Sequence, residues 1–137
     1  MANKIRLDIV TPESMVYSED VNMVIVRATD GDLGVLPGHA PLIAGLDIWP
    51  LRILTDEGES HMAISGGFIE VTPKKVIILA ESAEKPSDID LDRAIKARDR
   101  AQERLNRSDE STDILRAEIA LKKAINRIEV SQDNKKH

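Results

Sequence analysis

Arg93, Lys96, Arg100, Arg104 and Arg107 follow one another at intervals of three and four residues, and Arg116, Lys123 and Arg127 at seven and four. On a helix these intervals bring each set onto one face. Like charges at i, i+3 and i, i+4 repel by about a few tenths of a kcal/mol per pair. An anionic ligand or an acidic partner would relieve that repulsion through charge-assisted hydrogen bonds. A solvated face paired with Asp and Glu at i, i+4 is the alternative, and the spacing leaves both open.

The other groups capable of chemistry do not assemble. The three histidines, His39, His61 and His137, are far apart in sequence and form no zinc-type cluster. Asp88, Asp90 and Asp92 resemble the start of a calcium loop, but Arg93 stands where such a loop needs Gly, and no Glu follows at the twelfth position. They read instead as acids at a helix start, favoured by the dipole. Gly66-Gly67 is followed by no Gly-Lys-Ser/Thr, so it is no phosphate loop and reads as a turn or bulge. Gly31, Gly34 and Gly38 share a loop with Pro37 and Pro41 and lack dinucleotide-fold spacing. No serine has a nucleophile-elbow context. The residues therefore describe a binding, structural or regulatory protein and not an enzyme in its own right.

The elements that must position the basic residues follow from the distribution of breakers. All seven Gly, all six Pro and all three aromatics lie at or before Pro86. Charge divides at the same place. Residues 1–87 hold 7 basic and 13 acidic side chains, net −6, while 88–137 hold 12 and 11, net +1. Two architectures meet there, and the expected division is 1–86 and 87–137. The fold class expected is α+β: an N-terminal antiparallel β-sandwich followed by a C-terminal antiparallel two-helix hairpin.

Strands are predicted at 5–10, 23–28, 51–54, 62–65, 68–71 and 76–80, separated by turn signals such as Asp30-Gly31 and Pro73-Lys74. Pro86 and Ser87-Asp88-Ile89-Asp90 precede the first helix, whose apolar positions include Leu91, Ala94, Ile95, Ala101 and Leu105. The polar run 106–112 reads as a loop, with Asp113 near the next cap. Ile114, Ala117, Leu121, Ile125 and Ile128 then repeat as a seam. Asn134–His137 is expected to fray.

The 137 residues carry 24 acidic and 19 basic side chains, a formal charge of −5, with no cysteine. This excludes a disulfide scaffold and a thiolate site. Mild acidity and only three aromatics argue against nucleic-acid binding. No apolar run approaches the roughly 20 residues of a membrane span, and Met1–Ile5 offers no signal-peptide core. No direct membrane insertion is expected, and any membrane association goes through a partner.

Four segments carry a resemblance over essentially the whole chain. They are Asp8–Pro12, Gly31-Asp32-Leu33-Gly34-Val35-Leu36-Pro37-Gly38-His39-Ala40-Pro41-Leu42, Ile64–Val71, and the stretch from Arg116-Ala117-Glu118 to Asn126-Arg127. In these the chain resembles the epsilon subunit of bacterial F-type ATP synthases. The resemblance implies a non-catalytic subunit of the rotor's central stalk. It implies as partners the gamma subunit, the ring of c subunits, and the alpha and beta subunits, and a peripheral place on the cytoplasmic face of the plasma membrane. Asp32 corresponds to the acidic position that faces the c-ring, and His39 lies in a loop placed near gamma.

The resemblance also implies a switch. Folded on the sandwich, the helices leave the motor free; extended, they block ATP hydrolysis. Arg116, Lys122, Lys123 and Arg127 would then meet an acidic segment of the beta subunit, with Ile125 and Ile128 packing on gamma. Some relatives bind ATP on the folded helices. The matching residues here are Glu84, Asp90, Arg93, Arg100, Lys123 and Arg127, with Lys123 standing where tight binders carry Arg. No cofactor and no metal are required, and ATP enters as a regulatory ligand. A stand-alone ATP sensor and a purely structural adaptor are the alternative readings.

Overall fold

The computed structural model describes residues 3–135, with side chains described through Gln132. The chain runs β1 (Ile5–Val10), β2 (Met15–Val21), β3 (Met23–Ala28), β4 (Gly31–Val35), β5 (Leu42–Thr55), β6 (Gly58–Val71), β7 (Lys75–Ala80) and β8 (Ala83–Glu84). A 3-10 turn at Pro86–Asp88 leads into α1 (Leu91–Asn106) and α2 (Ile114–Lys135). The backbone of Asn134 and Lys135 thus continues α2, while the rest of the expected frayed tail, 136–137, lies outside the described residues.

The strands form one hydrogen-bonded sheet in the order β2-β1-β7-β6-β5-β3-β4, with β8 added to β6. Its two halves fold over one another as a β-sandwich. Ile5, Leu7 and Ile9 of β1, Val24 of β3, Ile53 of β5, Ile69 of β6 and Ile78 of β7 are fully buried in the single core between them. The alternation in β3, with Val24, Val26 and Ala28 inward, is the period of a strand with one buried face.

Four features differ from the sequence expectation. First, β1 and β7 pair in parallel, so the sandwich is not wholly antiparallel. The two strands are far apart in sequence and no hairpin turn joins them, so nothing imposes opposite directions. Second, Met15–Val21 is also a strand, β2, although its apolar residues cluster at Met15-Val16-Tyr17 and do not alternate. It sits at the sheet edge, and its Glu19 and Asp20 discourage edge-to-edge pairing with another chain. Third, the segment holding Asp32 is strand β4 and not a loop, paired with β3 so that Asp32 faces Arg27. Fourth, the two runs 62–65 and 68–71 are one continuous strand. Gly66 and Gly67 adopt φ of +83° and +130° within it. A Cβ on Gly67 would lie 1.9 Å from the Leu79 carbonyl oxygen, so only glycine lets β7 pass this close.

Asp8 ties three strands on the outer face. It accepts a hydrogen bond from Ser18 Oγ on β2 and pairs with Lys75 on β7 at 3.1 Å. The Ser18 bond, then Lys75 and Arg6, hold its carboxyl below the usual range against the opposing effect of burial.

Both helices start on aspartates. Asp90 Oδ1 accepts from the Arg93 amide and Asp113 Oδ1 from the Arg116 amide. The buried residues of α1 are Ala94 and Ala101, and Ala117, Ala124 and Ser131 of α2 are buried at the same seven-residue interval. Of the predicted apolar seam, Ala117 and Ile128 are buried and Leu121 is half-buried. Ile114 and Ile125 are exposed, and small residues let the two helices approach closely.

Two outcomes follow. Replacing Asp113 by Ala should destabilise the start of α2 by about 1 kcal/mol, read as faster hydrogen exchange of its first-turn amides. At the tip of the β5–β6 hairpin, Arg52 first and His61 second hold the Glu59 carboxyl down to about 2. A carboxyl depressed in the folded state contributes stability above its unfolded pKa and loses it as pH falls through the folded one. Glu59→Gln should therefore cost up to about 1 kcal/mol at pH 7, because the pair is partly exposed. The difference from the unaltered chain should vanish as pH falls from about 4.5 to 2, measured by urea unfolding.

Candidate functional site

The charged residues at the junction of sandwich and helices come from four segments. Glu84 ends β8, Asp88 belongs to the 3-10 turn, Asp90, Arg93 and Arg100 lie at the cap and on one face of α1, and Arg127 reaches in from α2. Together with Ala94 and Ala97 they line an open cleft of about 460 Å3. Arg127 Nε donates to Glu84 Oε1 at 2.6 Å, with both side chains about one-third exposed. Asp90 is partly engaged as the α1 cap. Among the described residues neither Arg93 nor Arg100 is in an ion pair, although the cleft holds three carboxylates. Two turns of helix, about 10 Å along the axis, separate the two residues.

The cleft presents groups of both charges to solvent. Unpaired guanidinium groups offer forked donors to phosphate oxygens, and the carboxylates accept from hydroxyl or amino groups. The two alanines supply the apolar wall. Among the described residues no group of three His, Asp or Glu could hold a metal ion.

Five of the six residues expected at an ATP site thus converge: Glu84, Asp90, Arg93, Arg100 and Arg127. Lys123 does not join them. It lies one helical turn before Arg127 and lines an adjoining narrow crevice that shares Glu84 and Arg127 with the cleft. Asp88 and Ala97 were missed because nothing in the sequence relates the linker to the α1 face.

The four residues expected to meet a beta subunit do not form one face either. Arg116, Lys123 and Arg127 share a stripe, but Lys122 is turned away at 100° per residue. It lines a groove of about 200 Å3 with Trp49, Pro50, Ile125 and Asn126. In this folded form Arg127 is occupied by Glu84. Ile128 is buried, whereas Ile125 borders the Trp49 groove.

Asp32 is exposed and ion-paired with Arg27, whose guanidinium lies over the Trp49 ring at 4.2 Å from its centroid. His39 is half-buried, its Nδ1 2.7 Å from the Ala40 carbonyl. Its loop is pinned to the β6–β7 turn by the Gly38 amide donating to Pro73 at 2.9 Å.

A further surface was not foreseen. Met15, Val10, Leu79 and Phe68 are register partners across β2, β1, β7 and β6 and form a row on the outer face of the sandwich. Phe68 is 59% exposed and Leu79 53%. The signal was present in Val76–Ala80, which is apolar at every position. A strand with only one buried face alternates, so unbroken apolarity marks a second face awaiting cover. Among the described residues no helix is long and apolar enough to cross a membrane.

Comparison with known proteins agrees with this architecture. The beta-sandwich domain of the ATP synthase delta/epsilon chain matches residues 4–86, and the long alpha-helix domain of the same chain matches 87–132. The ATP synthase epsilon chain of Bacillus velezensis is 49% identical over 127 residues, covering 93% of this chain and 96% of that one. That of Alkalihalophilus pseudofirmus is 51% identical over 128 residues, covering 93% and 96%. Among solved structures, a chain of the Euglena gracilis mitochondrial ATP synthase assembly of OSCP, F1 and c-ring is similar, with a TM-score of 0.79 at 26% identity. The match covers 98% of this chain and 82% of that one. The chain belongs to the ATP synthase delta/epsilon family, non-catalytic subunits of the rotary ATP synthase.

Proposed function

We propose that the chain couples and regulates the motor from the central stalk, on the cytoplasmic face of the plasma membrane, with its helical hairpin acting as a ligand-controlled inhibitor of ATP hydrolysis. The observation that carries this reading is the composition of the cleft. Its residues come from β8, the linker, α1 and α2, so it exists as a unit only while the helices are folded on the sandwich. A ligand of this cleft therefore favours the folded form by RT ln(1 + [L]/Kd), about 2.7 kcal/mol at a hundredfold excess over Kd. ATP fits the chemistry: Arg93 and Arg100 take phosphates, Asp88 and Asp90 take the ribose or adenine donors, and Ala94 and Ala97 pack against the base.

Released, the helices would carry their basic stripe of Arg116, Lys123 and Arg127 to an acidic segment of a beta subunit, and breaking the Arg127–Glu84 pair frees one of its members. The outer row of Met15, Val10, Leu79 and Phe68 is the surface offered to gamma, because it is apolar, contiguous and uncovered. The Euglena assembly that this chain resembles contains F1 and a c-ring. The c-ring contact rests on Asp32, which would have to exchange Arg27 for a basic or amide group on the ring.

Two measurements test the reading. ATP hydrolysis by an alpha-beta-gamma head should fall when the full chain is added. It should be unaffected by the chain ending at Ser87, whose core residues are all retained; equal suppression by both forms would remove the inhibitory role of the helices. Calorimetry with ATP should give a Kd at least about tenfold weaker for Arg93→Ala and Arg100→Ala, one lost charge-assisted contact being worth about 1.5–3 kcal/mol. Lys123→Ala, outside the cleft, should leave the Kd unchanged.

A further inference from the structure

Asn126 lies where α2 meets the sandwich and is 4% exposed. Its Nδ2 donates to the Ile64 carbonyl at 2.9 Å, linking residues 62 apart in sequence. Ile64 stands in the ladder of β6, opposite Trp49 of β5 and Ala83 of β8. The other half of the amide is unsatisfied: Oδ1 is fully buried, and among the described residues no group donates to it. Buried side-chain amides normally use both ends. Leu would occupy a similar volume without a polar atom to desolvate.

The two ends of this amide act in opposite directions. The donor end selects one register, because a shift of α2 by one residue turns it 100° and removes the donor from the Ile64 carbonyl. That register also carries the neighbouring Arg127 to Glu84, and so assembles the cleft. The acceptor end opposes docking. Its oxygen is hydrated when α2 is released and loses that bond when α2 docks, and an orphaned buried acceptor costs its full desolvation. Apolar burial on the helices offsets that cost: α1 buries only Ala94 and Ala101, and α2 buries Ala117, Ala124, Ile128 and Val130.

We propose that Asn126 is the release latch of the helical hairpin: a buried, half-satisfied amide that fixes α2 in one register on β6 while keeping the docked state close to balance with the released one. Asn126 acts here as a positioning residue for Arg127 and the cleft. The proposal rests on the mobility of the helices assigned above, and it concerns how that mobility is regulated.

The test is hydrogen exchange of α2 in the full-length chain without ATP, comparing the unaltered chain with Asn126→Leu and Asn126→Asp. The Leu variant removes the orphaned oxygen and should slow α2 exchange about tenfold, the equivalent of 1.4 kcal/mol. The Asp variant presents a carboxylate to the Ile64 carbonyl and should speed it by at least that factor. Trp49, the only tryptophan, borders the same groove as Asn126, so its emission should shift with release in the Asp variant and hold in the Leu variant. Amides of β5 and β6 followed in the same experiment show whether the sandwich is intact. Asn126→Met serves as a second apolar variant should Leu disturb it. Apolar variants that exchange α2 as fast as, or faster than, the unaltered chain would overturn the latch. If they slow exchange while inhibition of ATP hydrolysis is unchanged, the latch stands and the inhibitory role of the helices falls.

Discussion

The ladder between β5 and β6, running from Leu42–Val71 at one end to Thr55–Gly58 at the other, is the constraint on which the rest of the molecule hangs. Both strands have 14 residues, long enough to belong to both halves of the sandwich. β3 attaches to the outer edge of β5, and β7 and β8 attach to successive parts of β6. The β5–β6 pair also forms the platform for α2, which packs on both strands. A substitution that opened this ladder would dissolve the core and the helix dock together. The absence of a side chain at Gly67, where β7 crosses closest, is the local requirement that keeps it shut.

The two halves of the chain differ in how tightly they are held. The sandwich buries large β-branched and leucine side chains completely, each worth about 1.5–3 kcal/mol relative to exposure. The helices bury mostly small side chains, with Ile128 and Val130 the larger ones on α2, and the amide of Asn126 and the Arg127–Glu84 ion pair add polar links to the sandwich. A helix pair of this length is marginal without a dock. Under the function proposed above, the sandwich is the part that transmits force and the helices the part that leaves it, and a ligand at the cleft would act on that second equilibrium.

Charge follows the same division of labour. On the sandwich, Asp8, Asp32 and Glu59 are satisfied by basic partners on neighbouring strands. On α1, Arg93 and Arg100 have no ion-pair partner among the described residues and line a cleft in which Glu84 and Asp90 are otherwise engaged. Unbalanced cations of this kind are useful to a binding site and costly to an isolated helix.

Local sequence determined the elements and their ends. The loss of every Gly, Pro and aromatic after Pro86 announced helices, Asp90 and Asp113 announced their starts, and β-branched runs announced most of the strands. These features depend on propensity, capping and period, which act over a few residues. The tertiary structure alone decided the parallel pairing of β1 with β7, the strand state of the Asp32 segment and the continuity of β6 through two glycines. Each depends on partners distant in sequence. It also decided that Asp88 lines the cleft while Lys123 sits in the adjoining crevice, and that Ile114 and Ile125 stay exposed while Ala124 is buried. Helical spacing says which residues share a face, but not which face a distant strand will cover. Asn126 shows that limit most plainly: in sequence it is one polar residue on a helix, and only the Ile64 carbonyl above it makes it a latch.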